Sequence, residues 1–284
     1  MSKELIRKVT NEINATIIMH PRFEQAYQGL LDIIDTASYG DLPFGATVIA
    51  PPGCGKTALT KAVARAIPSC ELLKDDLRSI SVTAEANAAL GHFVKKLLKQ
   101  LGYPTTVRAS TLYDQSSIIA AALRERGVKV LFLDEFQHVC RGQRSLSAAA
   151  ITYWIKQLAD EGGVVVILLG TRELKPLTEM NDQLGSRAPA IFELREFQYN
   201  DEWIGVLKQF AVQIRSFNCE VITELAKPIR AATHGTLRTL KQLLLTSTKA
   251  AIESNKSALD QESLCIGFAR AFGTDSRTPN PFLK

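Results

Sequence analysis

Apolar positions along the chain follow three successive patterns. Residues 3–16 and 22–36 carry helical spacing, and "FEQAYQGLLDII" puts Phe23, Ala26, Leu30, Leu31 and Ile34 near one face. From residue 46 the pattern becomes short, nearly continuous apolar runs. These are "ATVIA" (46–50), "VKVLFLDE" (128–135) and "VVVILLGT" (164–171), with the less uniform "RSISVTA" (78–84). Such runs predict strands buried on both faces, as in a parallel sheet. Between them lie helical stretches. "TALTKAVARAI" follows the first strand, "EANAALGHFVKKLLKQLG" stops at Gly102, "STLYDQSSIIAAALRERG" stops at Gly127, and "SLSAAAITYWIKQLADEGG" ends in a double glycine. Strands alternating with helices predict an α/β fold, a parallel sheet flanked by helices.

Beyond about residue 196 the strand signal stops. "NDEWIGVLKQFAVQIRSF", "EVITELAKPIRAAT", "TLRTLKQLLLTSTKAAIES" and "DQESLCIGFARAF" read as helices and predict a small all-helical domain. The tail "GTDSRTPNPFLK" has little apolar content and is expected to be flexible. The expected division is therefore N-terminal helices over 1–40, the sheet domain over 41–195, the helical domain over 196–272 and a tail over 273–284. No internal repeat is evident.

Composition adds little to this picture. Hydrophobic residues make up 46% of the 284, enough for a sizeable core. No apolar run is long enough to span a bilayer, and the amphipathic N-terminus lacks a signal-peptide core, so a cytoplasmic protein with no membrane partner is expected. Five cysteines (Cys54, Cys70, Cys140, Cys219 and Cys265) have neither metal-site nor disulfide-framework spacing and are expected to be reduced thiols. The net charge of +5 permits an anionic partner without requiring one.

The chemistry is concentrated in "APPGCGKT" (50–57). A G-x-x-x-x-G-K-[ST] loop needs glycines so that backbone N–H groups can wrap a phosphate without Cβ clashes, and the helix behind it adds free donors and partial positive charge. Gly53, Gly55, Lys56 and Thr57 fit, between a strand and a helix. Ala50 replaces the first glycine, and Pro51 and Pro52 constrain the turn. The expected nucleotide-binding stretch is Pro52, Gly53, Cys54, Gly55, Lys56, Thr57 and Ala58. Lys56 is expected on the β- and γ-phosphates, and Thr57 on Mg²⁺. Cys54 lies among backbone N–H groups and beside a lysine, and is either a thiol of lowered pKa at the nucleotide or a buried, inert one.

The strand "VLFLDE" brings two acids to its C-terminal end, where ligands bind in open α/β sheets. Asp134 is the expected metal-side acid and Glu135 the expected catalytic base. Thr171 ends the next strand, which is expected between the other two, and either faces the γ-phosphate or caps the following "RELKPL". In "HGTLR", Arg238 sits in the first turn of a helix, either folded towards phosphates or free on the surface.

Taken together, "PPGCGKT", "VLFLDE", "LLGT" and "GTLR" resemble an AAA+ ATPase over about residues 20 to 270. The resemblance implies a P-loop AAA+ sheet followed by a helical lid, with ATP and Mg²⁺ as ligands and ATP hydrolysis as the activity. "DEFQHV" and "VVVILLGTRELKPLTEMNDQLGSR" further resemble the TniB/TnsC family of transposition ATPases. That family implies a homo-oligomeric ring or helical filament on double-stranded DNA, bound largely without regard to sequence. It also implies a DDE transposase and a target-selection protein as partners. By the same resemblance an arginine finger from a neighbouring subunit is Arg187, with Arg172 in reserve, although the family's Arg-Phe is Arg-Ala here. DNA contacts are implied for the region holding Lys99, Arg108, Ser110 and Thr111, while Lys95 and Lys96 fit the wet face of an amphipathic helix. Two alternatives stay open: another AAA+ NTPase, helicase-loader-like or secretion-associated, and a nucleotide-gated scaffold with little hydrolysis.

Overall fold

The computed structural model describes residues 2–40, 45–68, 77–85, 90–103, 112–138, 148–175, 190–273 and 279–283. Its contacts divide the chain into two units. One comprises Glu24–Pro52 and Lys56–Leu194; the other comprises Met1–Phe23, Gly53–Gly55 and Arg195–Lys284.

The first unit is built on a five-stranded parallel sheet. Its strands are β1 (Gly45–Ile49), β2 (Ser79–Thr83), β3 (Val130–Asp134), β4 (Val165–Gly170) and β5 (Ala190–Glu193), in the order β2-β3-β4-β1-β5. Every residue of β1 and β4 is buried, which is why both read as continuous apolar runs. β2 lies at an edge, and its "SISVT" buries only Ile80 and Val82, on alternate positions. Those two residues share a core with Leu131 and Leu133 of β3, and Val166 and Leu168 of β4. Helices cover this core: α4 (Leu90–Gln100) through Val94, Leu97 and Leu98, α5 (Leu112–Glu125) through Ile119 and Leu123, and α6 (Ala148–Gly162) through Trp154 and Leu158. α3 (Lys56–Ala66) follows the loop after β1. At the other edge α2 (Pro21–Tyr39) meets β5, where a Cβ on Gly29 would lie 2.5 Å from the Phe192 ring.

The second unit is all helical: α1 (Ser2–Ala15), α7 (Asp201–Gln213), a turn over Val221–Glu224, α8 (Ala226–Thr233), α9 (Leu237–Glu253) and α10 (Gln261–Phe272). Its core joins Val9 and Ile13 of α1 to Trp203 and Phe210 of α7 and to Leu240, Leu244 and Leu264. Three helix starts are capped by the residue types that favour that place: Asn200 accepts from Trp203 N–H, Thr236 from Thr239 N–H and Asp260 from Ser263 N–H.

Three expectations change. The N-terminal helices do not form a segment of their own. The apolar stripe of α1 packs into the helical unit, Lys241 Nζ donates to the Asn14 and Thr16 carbonyls at the end of α1 (3.0 and 2.7 Å), and Glu12 accepts from Ser216. The helix read across "EVITELAKPIRAAT" is two pieces. Pro228 has no N–H and is tolerated in a first turn, so α8 starts afresh at Ala226. The tail does not trail freely at its far end. Phe282 is buried beside Phe268, and the Asn280 side-chain amide donates to the Cys265 carbonyl at 3.0 Å.

Candidate functional site

In the sheet unit the site forms where β1, β3 and β4 end. Ala50 N–H donates to the Gly170 carbonyl at 2.9 Å, continuing the β1–β4 pairing by one residue. α3 then opens with Lys56, whose side chain is buried. A buried ammonium needs compensating charge. Lys56 Nζ donates to Glu135 Oε1 at 2.7 Å and lies 3.6 Å from Asp134 Oδ1. The next residue, Thr57, is exposed.

Glu135 adopts φ of +52°, a left-handed conformation that costs a non-glycine residue about 1 kcal/mol. The neighbours hold it there. Its N–H donates to Asp134 Oδ1 at 2.8 Å, and Phe136 N–H rejoins the sheet at the Leu169 carbonyl at 3.0 Å. Burial alone would raise the Glu135 carboxyl. The hydrogen bonds from Lys56 and Gln137, and the nearby charges of Lys56 and His138, outweigh burial and hold it below the usual carboxylate range.

Gln137 is the site residue that motif reading missed. Its side chain is buried, its Nε2 donates to Glu135 Oε2 at 2.5 Å, and its Oε1 accepts from Thr171 N–H at 3.3 Å. The sequence signal was slight: a glutamine in "DEFQHV", and a glycine, Gly170, ending β4. Thr171 Oγ1 is buried and has no hydrogen-bond partner among the described residues.

Within the helical unit, Gly53 and Gly55 have φ of +86° and +104°, values that glycine adopts without steric cost. The Gly53 carbonyl accepts from Arg238 N–H at 3.1 Å, and a Cβ on Gly53 would lie 3.0 Å from the Arg238 Cβ. Arg238 is exposed in the first turn of α9. For Cys54 the buried, inert reading is the one the structure favours. Burial pushes its thiol up to about 11, Glu196 adds to the rise, and Arg238 opposes it only in part. The loop's local positive character is outweighed by loss of solvent.

The other sequence candidates fall elsewhere. Pro52 and Lys99 are exposed, Ala58 is half-buried, and Arg172 is exposed in the short helical turn after β4. Lys96 donates to the Thr83 carbonyl at 2.9 Å, at the end of β2. Arg108, Ser110, Thr111 and Arg187 lie outside the described residues, as do Cys70 and Cys140. Among the described residues no three His, Cys, Asp or Glu side chains gather as a metal cluster, and no helix is long and apolar enough to cross a membrane.

The family model of the bacterial TniB protein matches residues 8–199. The chain belongs to the TniB family. No curated protein matches it. The fold of this TniB protein is that of AAA+ ATPases, as three solved structures illustrate. The Aeropyrum pernix ORC2 protein, described in its ADPNP-ADP complexes, is 17% identical with a TM-score of 0.67, over 94% of this chain and 72% of that one. The Aeropyrum pernix ORC1 protein in complex with DNA is 18% identical with a TM-score of 0.65, over 90% and 66%. Cdc6p from Pyrobaculum aerophilum is 17% identical with a TM-score of 0.65, over 90% and 69%. At such identities the likeness carries the fold alone.

Proposed function

We propose that this TniB protein binds and hydrolyses ATP, and that the nucleotide controls its assembly on double-stranded DNA, where it recruits or activates a DDE transposase. The observation that carries the nucleotide reading is the cluster of Lys56, Asp134 and Glu135, a buried cation and two acids drawn together from a phosphate-type loop and the end of β3. A bare strand–helix turn has no need of a buried lysine.

Lys56 is the residue for the β- and γ-phosphates. Phosphate oxygens compete with Glu135 for Nζ, so drawing the ammonium onto phosphate frees Glu135 Oε1 to accept a proton from water. The donor set suits Mg²⁺: Thr57 offers a hydroxyl and Asp134 a carboxylate, both hard oxygen ligands. Bound there, Mg²⁺ would neutralise charge on the phosphates. Thr171, at the end of β4, is the residue for sensing the γ-phosphate. Gly53–Gly55 supplies backbone donors, and Arg238 belongs to the lid. A neighbour's Arg187 completes the site in a ring or filament, with Arg172 in reserve.

The DNA and transposase parts are supported by family membership. DNA contact through Lys99, Arg108, Ser110 and Thr111 would be mostly to phosphates and weakened by salt. The test is electron microscopy of the protein with duplex DNA and a slowly hydrolysed ATP analogue. Ordered rings or helices that require both support the proposal. Unassembled protein under conditions of saturating nucleotide and DNA contradicts it.

A further inference from the structure

We propose that Gln137 is a positioning residue for hydrolysis, tying the Glu135 carboxylate to the backbone at the end of β4 through one side-chain amide. This rests on the reading of Glu135 as the base.

The chemistry of the two contacts selects an amide. Glu135 Oε2, as a carboxylate oxygen, only accepts, and Thr171 N–H only donates. A side chain between them must donate at one end and accept at the other. These partners also fix which way round the amide lies. A hydrocarbon at 137 would strand the Thr171 N–H, and a carboxylate would meet Glu135 as a like charge. The strand end leaves room for the amide: a Cβ on Gly170 would collide with Gln137 Oε1 and with the Leu174 side chain, which share the space of the missing side chain.

The two oxygens of Glu135 thus have separate partners, Lys56 on Oε1 and Gln137 on Oε2. When Lys56 turns to phosphate, Gln137 keeps one oxygen anchored while the other faces the reaction. His138 Nε2, 4.0 Å from Oε2, is too far to take over that hydrogen bond. Thr171 joins two functions in one residue. Its backbone holds the amide, while its hydroxyl is unpartnered among the described residues. A shift of the β4 end is therefore passed through Gln137 to the base. Misplacement of a reacting group by about 1 Å is enough to slow a reaction roughly 100-fold.

The test compares wild type, Gln137→Leu, Glu135→Gln and the double variant. Nucleotide affinity is read with a fluorescent ATP analogue and Mg²⁺, kcat and KM from phosphate release, and folding from thermal denaturation. We expect Gln137→Leu to lose about 10- to 100-fold in kcat while its nucleotide Kd stays within about twofold. The double variant should be no slower than Glu135→Gln alone, because Gln137 acts only through Glu135. Gly170→Ala, whose Cβ would meet both Gln137 Oε1 and the buried Leu174, should also lower kcat, and it should add no further slowing in the Glu135→Gln background if the loss runs through the amide. Full kcat in folded Gln137→Leu overturns the proposal. So does a loss confined to nucleotide binding, or a further slowing in the Glu135→Gln background. Wild-type turnover by Glu135→Gln would instead remove the base itself, and the proposed function would fail at that step.

Discussion

Lys56 Nζ donates to Glu135 Oε1 at 2.7 Å, so the phosphate-loop cation and the acid that follows β3 neutralise one another inside the sheet unit. They lie 79 residues apart in sequence. In the function proposed above, phosphate competes with Glu135 for the lysine, and the carboxylate then becomes available to water. The left-handed backbone at Glu135 serves the same arrangement. It turns the chain sharply after Asp134, and Phe136 still regains the sheet one residue later.

That conformation has a measurable signature. Glu135→Gly should unfold at higher denaturant than Glu135→Ala, by about 1 kcal/mol, because only glycine takes φ of +52° freely. Both lack the carboxylate, so the lost ion pair cancels in the comparison. Equal stability would mean that the backbone at 135 is unstrained.

Much of this was legible in the sequence. β1, β3 and β4 announced themselves as continuous apolar runs because central parallel strands are buried on both faces. Lys56, Asp134 and Glu135 were legible because their chemistry requires fixed residue types at fixed places on a strand and a helix. Gln137 was not, because its role depends on a left-handed turn at Glu135 and a bare Cα at Gly170, and neither has a spacing rule. The partnership of α1 with the far C-terminal helices was equally hidden. An amphipathic stripe shows that a face is buried, but not against what.

Cys54 gives a pH test. With its thiol pushed up to about 11, the reactive thiolate is scarce at pH 8. Alkylation by iodoacetamide should be slower than for an unhindered thiol, and its rate should climb roughly tenfold per pH unit until near pH 11. Mass spectrometry of the loop peptide follows the modification. A rate already level by pH 8 would show the low-pKa thiol instead.

His20 gives a second pH test, on stability. It is buried against Phe23 and Phe197 with no hydrogen bond to either ring nitrogen among the described residues, and burial, then Arg22, lowers its pKa from 6.5 to about 4. Glu202 Oε1 lies 3.5 Å from Nδ1. Between those values the unfolded chain binds the proton and the folded chain does not. Stability should therefore fall as pH drops from about 6.5 towards 4, by ~3 kcal/mol from this residue. His20→Phe should flatten that part of the urea-denaturation profile. An unchanged slope would place the acid sensitivity elsewhere.

Assembly is tested by mixing. If Arg187 acts in trans, Arg187→Ala should bind ATP nearly normally yet lose DNA-stimulated turnover. Mixed with Glu135→Gln subunits, it should regain some activity, because one interface then pairs an intact finger with an intact base. No recovery in verified mixed assemblies would move the role to Arg172.

In the proposed function Lys56 and Glu135 divide nucleotide binding from nucleotide cleavage. The most direct measurement follows ATP binding and phosphate release side by side, with Mg²⁺ and duplex DNA present, in wild type, Lys56→Ala and Glu135→Gln. Lys56→Ala should lose binding. Glu135→Gln should bind with affinity near wild type and release phosphate at least about 100-fold more slowly. Unchanged affinity in Lys56→Ala, or unchanged turnover in Glu135→Gln, would contradict that division.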